Sequence, residues 1–172
     1  GIMLGVATLI VVMSVMNGFR TELVDRILGI NGHLIVYNNK DLEISNFNEV
    51  VKKILDTENV VAVTPHLEGQ ALAKTKSTVS GVIVRGTNWS DLPAKKLLWE
   101  SLDQTSISNF KDKKNIILGY RLAQRLNVNI GDYISLVSPN GMETVLGILP
   151  VKQNFIIGGV FDIGMYEYDN NF

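Results

Sequence analysis

Two histidines, a few serines and a late group of acids are the side chains with which this 172-residue chain could do chemistry. His33 and His66 could ligate a metal, but neither falls in an HExxH pattern, and the chain has no Cys to join them. Ser14, Ser80 and Ser138 lack the GxSxG turn that exposes a nucleophile, and Ser14 lies in an apolar run. Asp162, Glu167 and Asp169 could bring carboxylates together, yet a polar turn explains that stretch without an acid/base pair. Gly158-Gly159 sits inside a strand-like run, where paired glycines mark a bulge or a close backbone approach rather than a phosphate cradle. Neither GxxxxGKS/T nor a GxGxxG after a strand occurs, so the chain is expected to hydrolyse no ATP and to bind no cofactor or metal of its own. A non-catalytic protein is expected.

The charge balance excludes another class. With 16 Lys plus Arg against 17 Asp plus Glu, the formal net charge is -1, and Lys95-Lys96 and Lys111 to Lys114 are short, interrupted basic runs. Nucleic-acid binding needs at least one basic face, so none is expected. Absence of Cys is compatible with an oxidising compartment such as a bacterial periplasm.

The elements that would hold any site begin with Gly1 to Leu28. Ile2 to Met16 carries no charge, and its polar side chains, Thr8 and Ser14, can return hydroxyl bonds to a helix backbone. This run spans roughly 22 Å as a helix, against a hydrocarbon core of about 30 Å, which reads as a truncated membrane crossing, with a buried core helix of a soluble protein and a cleaved signal peptide as the alternatives. After Asn17-Gly18, Phe19, Leu23, Val24 and Ile27 recur at helical spacing among Arg20, Glu22, Asp25 and Arg26, so the crossing passes into an amphipathic stalk. Gly29 to Gly32 reads as its stop.

Beyond residue 28 the pattern is α+β. HLIVY (33–37) reads as a strand. Asn46 opens a helix with Phe47, Val50, Val51, Ile54 and Leu55 on one face and Glu49 completing a capping box. NVVAVT (59–64), Leu67 to Lys74 and Val79 to Arg85 read as strands, with the helix covering a small sheet. Residues 87–114 read as a loop with short helical turns, part of a second lobe. The core lobe is expected from 29–86 and 115–172: NIILG (115–119) is a strand entering a helix whose Leu122, Ala123 and Leu126 share a face, and YISLV (133–137) and FIIGGVF (155–161) are two further strands. The abrupt start and the polar stretch from Asp162 to Asp169 lead us to expect missing chain at both ends, with further strands and a return to the membrane after Phe172.

Between the last two strands, Ser138 to Leu149 forms a long connection. Pro139-Asn140-Gly141 is a turn signature, and Met142, Val145, Leu146, Ile148 and Leu149 follow before Pro150. Apolar residues on a protruding connection form a contact surface; folding back to complete the core is the alternative.

These residues carry a family resemblance. GVATLIVVMSVMNGFRTELVDRILGINGHLIVY is similar to the junction of first transmembrane helix and periplasmic domain in permeases of the bacterial lipoprotein-releasing ABC transporter, the LolC and LolE type, and ILGYRLAQRLNVNIGD (117–132) resembles a motif of the wider MacB-like permeases. The resemblance covers essentially the whole chain and leans toward LolC. It implies a MacB-like periplasmic domain with a mixed sheet, covering helices and a protruding hairpin, the hook, that captures a soluble lipoprotein chaperone. Pro139, Gly141, Met142, Val145, Leu146, Gly147, Ile148, Leu149 and Pro150, followed by Phe155, are similar to that hook.

By the same resemblance the chain would sit in the bacterial inner membrane. Its partners would be an ATPase subunit that uses ATP, a second permease subunit (a copy or a LolE-like relative), a LolA-like chaperone and lipoprotein substrates. Val12, Met13 and Met16 would line the entrance for lipoprotein acyl chains, and Gly18, Phe19, Leu23 and Ile27 would couple membrane motion to the periplasm. A MacB- or FtsX-like permease for small-molecule efflux or for control of a cell-wall hydrolase is the alternative; it should lack a proline-bounded apolar hairpin.

Overall fold

A computed structural model of the chain describes residues 1–38, 44, 46–110, 114–144 and 147–172, with 140–144, 147 and 148 described through their backbone. Gly1–Ser45 and Asn46–Phe172 form two separate units.

The first unit is dominated by α1 (Ile2–Asn31), one uninterrupted helix of 30 residues, about 45 Å long at 1.5 Å per residue. Thr8 Oγ1 lies within hydrogen-bond reach of the carbonyls of Leu4 (3.0 Å) and Gly5 (2.9 Å), so its one proton has an acceptor on the helix itself in an apolar setting. The helix is long and apolar enough to cross a membrane, and none of its most apolar stretch is buried. It ends inside the expected Gly29–Gly32 stop: Gly32 takes φ 75° and donates its N–H to Leu28 O at 3.0 Å. The strand expected over 33–37 does not form. Leu34, Ile35, Val36 and Tyr37 are exposed and irregular, because an apolar segment becomes a strand only against a neighbouring strand's N–H and C=O groups.

In the second unit, α2 (Phe47–Leu55) has the expected apolar face, but none of it is buried, so α2 does not cover the sheet as expected. Asn46 adopts a left-handed conformation (φ 58°) and its side chain makes no capping bond; the cap is the backbone, with Glu49 N donating to Asn46 O at 2.9 Å. Residues 60–65 are irregular rather than a strand, with Val61 exposed.

Among the described residues five strands follow: β1 (His66–Lys74), β2 (Val79–Thr87), β3 (Asn115–Gly119), β4 (Tyr133–Thr144) and β5 (Gly147–Phe161), in the order β2-β1-β4-β5-β3. β3 runs parallel to β5 and the other pairs are antiparallel, giving a mixed sheet. Alternation decides the faces. Ala71 pairs with Val82, and both point to the core, whereas Leu72, opposite Gly81, points out. The core is Ala73, Val82, Leu118, Ile134 and Ile157 from the strands, closed by Leu122, Ala123 and Leu126 of α5 (Tyr120–Leu126). Each of its two fully buried leucines contributes about 1.5–3 kcal/mol of burial.

Residues 87–114 hold a 3₁₀ turn (Trp89–Ala94), α3 (Lys96–Ser101) and α4 (Gln104–Asn109). Trp89 packs on Trp99 and Phe110, each at 5.9 Å between ring centroids. α4 is seated on β5 by the glycine pair. Gly158 is the extra residue of a bulge against β3, its carbonyl accepts from Asn109 Nδ2 at 3.1 Å, and Gly159 lies under Ser106, where a Cβ would meet Ser106 Oγ at 2.5 Å. Both meanings expected of that pair, bulge and close approach, are thus met.

The stretch after Asp162, expected to be polar turn, contains a helix, α6 (Tyr166–Asn171). Tertiary contacts hold it: Gly119 N donates to Phe172 O (2.8 Å), Arg125 donates to Asn170 O (2.8 Å), and Arg121 lies over the Tyr166 ring.

Candidate functional site

The most distinctive construction in the second unit is the β4–β5 hairpin. Its root is part of the sheet: Ile134 faces Phe155, Leu136 faces Gln153, β1 pairs with β4 at Leu72 to Lys74, and β3 joins β5 from Ile156 onward. Past Val137 on one strand and before Ile156 on the other, β4 and β5 pair only with each other among the described residues. A two-stranded ribbon therefore runs on beyond its neighbours for roughly 20 Å, at about 3.4 Å per residue.

Among the described residues the ribbon is interrupted once. Ser138 pairs with Val151 and the next pair is Met142 with Leu149, so Pro139, Asn140 and Gly141 stand opposite Pro150 alone. Such a bulge sharpens the local twist. The sequence suggested that the two prolines bound a connection; instead both strands run through them. Proline is tolerated in a strand whose outer side has no neighbour, since its missing N–H breaks no ladder bond there.

Counting back from Phe155 by twos gives Gln153, Val151 and Leu149. This face begins at the core, where Ile157 and Ile134 are buried and Phe155 packs against them, and runs out to Val151 and Leu149, which are 41% and 56% exposed. The opposite face is polar at the root, where Ser135 Oγ and Asn154 Oδ1 lie 2.6 Å apart across the pair and Lys152 is exposed. The ribbon thus carries apolar side chains outward on a face continuous with the core.

Among the residues singled out from sequence, Leu149, Pro139 and Pro150 are exposed on this ribbon. Met142, Gly147 and Ile148 belong to its ladder, with Ile148 opposite Glu143 and Gly147 opposite Thr144, and Gly141 lies in the bulge. Val145 and Leu146 lie outside the described residues. Phe155 is half-buried at the ribbon's foot rather than on its free part. Val151 was not singled out; the alternation from Phe155 was the signal that would have found it.

On α1, Val12, Met13 and Met16 are all exposed, as are Phe19, Leu23 and Ile27, which follow one another at four-residue spacing. A Cβ at Gly18 would meet nothing, and the helix passes through it unbroken. Of the residues weighed for chemistry, His66 Nδ1 sits 3.3 Å from Thr64 O. Asp169 is buried with its Oδ1 accepting from Ile163 N at 3.0 Å, and burial, followed by the nearby Asp162, pushes its carboxyl above the usual range. Asp162 in turn accepts from Gly164 N at 3.1 Å, so the two acids fasten consecutive amides of one turn.

A model of the MacB-like periplasmic core domain matches residues 1–171. The chain belongs to this family. Its relatives include proteins named lipoprotein-releasing system transmembrane protein LolC, from Neisseria meningitidis serogroup B (32% identical, covering 99% of this chain and 41% of the relative) and Xylella fastidiosa (28%, 98% and 41%). A protein named LolE from Haemophilus influenzae is 30% identical over 83% of this chain and 36% of its own length. The chain spans about two-fifths of the length of these LolC relatives. The mixed sheet with its long apolar N-terminal helix agrees with this family's α+β domain.

Proposed function

We propose that this MacB-like chain is part of a permease subunit of a lipoprotein-releasing ABC transporter, anchored in the bacterial inner membrane by α1 with its second unit in the periplasm. The names of the relatives support the system, and the 30-residue apolar helix supports the anchor. The observation that carries the reading is the β4–β5 ribbon, an apolar-faced element that leaves its sheet. It is built to be gripped by another protein.

In this reading the ribbon receives a soluble periplasmic lipoprotein chaperone, and lipoprotein acyl chains enter beside Val12, Met13 and Met16. An ATPase subunit supplies the energy by using ATP, a second permease subunit completes the pair, and this chain contributes no catalysis and no bound cofactor. Closure of the ATPase would move α1, and a continuous helix through Gly18, Phe19, Leu23 and Ile27 transmits displacement with little loss. The test is chaperone affinity with Leu149→Asp and Val151→Asp. Burying either carboxylate in an apolar contact costs several kcal/mol, so binding should fall at least about a hundredfold. Unchanged affinity in the double variant would refute the ribbon's role.

A further inference from the structure

We propose that Pro139 and Pro150 are a matched pair of edge blocks that release the ribbon from the sheet and close both its edges to strand addition, leaving a side-chain face as the route by which a partner engages it. The partner half of this inference rests on the ribbon being the chaperone contact proposed above. The edge half stands on backbone geometry alone.

Two hydrogen bonds on opposite sides of the hairpin fix the direction of its N–H groups from the sheet out to the level of the bulge. Ile156 N donates outward, to Lys114 O at the start of β3, at 2.9 Å. In β5 the even-numbered amides before it, 154, 152 and 150, therefore point away from β4, since strand N–H groups alternate sides. Thr75 N donates toward β2, to Thr78 O at 2.9 Å, so Lys74, Leu72 and Gln70 direct theirs toward β4. Their partners Ser135 and Val137 face β1 in return, and the odd-numbered series continues to position 139. Both counts agree with the β4–β5 register, in which Tyr133 faces Ile156 and Ile134 faces Phe155.

Each proline thus occupies an outward-facing amide position, one on each edge, close to the level of the single bulge. Pro139 stands where β4 would next donate to Gln70. β1 runs on to His66, yet its pairing with β4 ends at Leu72 and Val137, one step before the missing N–H. Pro150 removes the corresponding donor on the other edge, beyond the reach of β3. An unblocked ribbon of this length would present two rows of free backbone groups, the usual template for pairing with a second copy. With both rows interrupted, Val151 and Leu149 remain as the recognition surface.

The test uses the full-length permease in nanodiscs with Pro139→Val, Pro150→Val and the double variant, and repeats the set with alanine, which restores the N–H without bulk or branching. Hydrogen exchange over 66–72 and 137–141 should slow roughly fivefold or more in Pro139→Val and Pro139→Ala as the β1–β4 ladder lengthens. Disulfide trapping between copies carrying Lys152→Cys should rise several-fold in the double variants. Exchange and trapping both at wild-type levels in alanine variants with wild-type melting would overturn the proposal. Chaperone from the same organism, added to monomeric Pro150→Ala, should bind within about threefold of wild type; a larger loss would overturn face recognition. Failure of the wild type itself to bind would refute the chaperone reading, while the exchange and trapping results would still decide the edge blocks.

Discussion

Replacing Gly119 by alanine tests whether the C-terminal helix is locked onto the sheet. A Cβ at this position would lie 2.6 Å from the carbonyl carbon and 2.7 Å from the Cα of Asp169, and closer still to its oxygen. These are backbone atoms, so no rotamer change can relieve the overlap; α6 must move by about 1 Å to reach ordinary contact. That movement pulls on two bonds, Gly119 N to Phe172 O and Arg125 to Asn170 O, both 2.8 Å long. Overpacking costs about 1–3 kcal/mol and each weakened hydrogen bond up to about 1, so a loss of roughly 2–4 kcal/mol is expected. Urea denaturation of the detergent-solubilised chain, followed by fluorescence of Trp89 and Trp99, measures it. Gly81→Ala is the control, since a Cβ there meets nothing, and in a strand alanine should be neutral or stabilising by up to about 1 kcal/mol. A Gly119→Ala loss below about 0.5 kcal/mol, or one equal to the control's, would show that α6 is not locked where the geometry puts it.

Three further outcomes are expected. Gly159→Ala should destabilise by about 1–3 kcal/mol because Ser106 lies against that position, and Gly158→Ala, whose neighbours are the side chains of Asn109 and Asn115 at 3.2 and 3.1 Å, should cost less; the order is read from paired denaturation midpoints. Asp169, held above the ordinary carboxylate range by burial first and Asp162 second, binds its proton more tightly folded than unfolded. Its contribution is therefore full below the ordinary Asp value and is lost as pH rises through the folded one, so wild type should lose stability relative to Asp169→Asn across that window, and parallel stability curves would contradict the assignment. On the proposed permease reading, a flexible glycine-serine insertion at Gly18 should abolish lipoprotein release from proteoliposomes while leaving ATP hydrolysis; intact release would refute the coupling role proposed for α1.

Most of the second unit could be read from local pattern. β1, β2, β3 and α5 announce themselves by alternation or by Leu122, Ala123 and Leu126 on one face, because each of these side chains has one core to point into. The segments 33–37 and 59–64 carry the same local signal and form no strand, since pairing is supplied by a neighbour and not by the segment itself. α6 failed in the opposite sense. Its six residues have weak helical preference, and the helix exists because Gly119, Arg125 and Arg121 receive its carbonyls and ring. At the candidate site the apolar content of 142–149 was legible, but the prolines were misleading, for a proline ends a strand only where its N–H is required.

A hairpin can leave a sheet because its strands outrun their neighbours or because something stops the neighbours from following. Here β1 has the residues to follow, from Ala71 back to His66, and it pairs with β2 over its whole length while abandoning β4 after Leu72. The stop therefore lies on β4, at the level where Pro139 has no hydrogen to offer and the bulge begins. Projection is then a local property of this level of β4 rather than of hairpin length. If so, moving the proline two residues later, to position 141 by Pro139→Val with Gly141→Pro, should extend the β1–β4 ladder by one pair without dissolving the ribbon. Hydrogen exchange that left Gln70 as fast as in wild type would refute this.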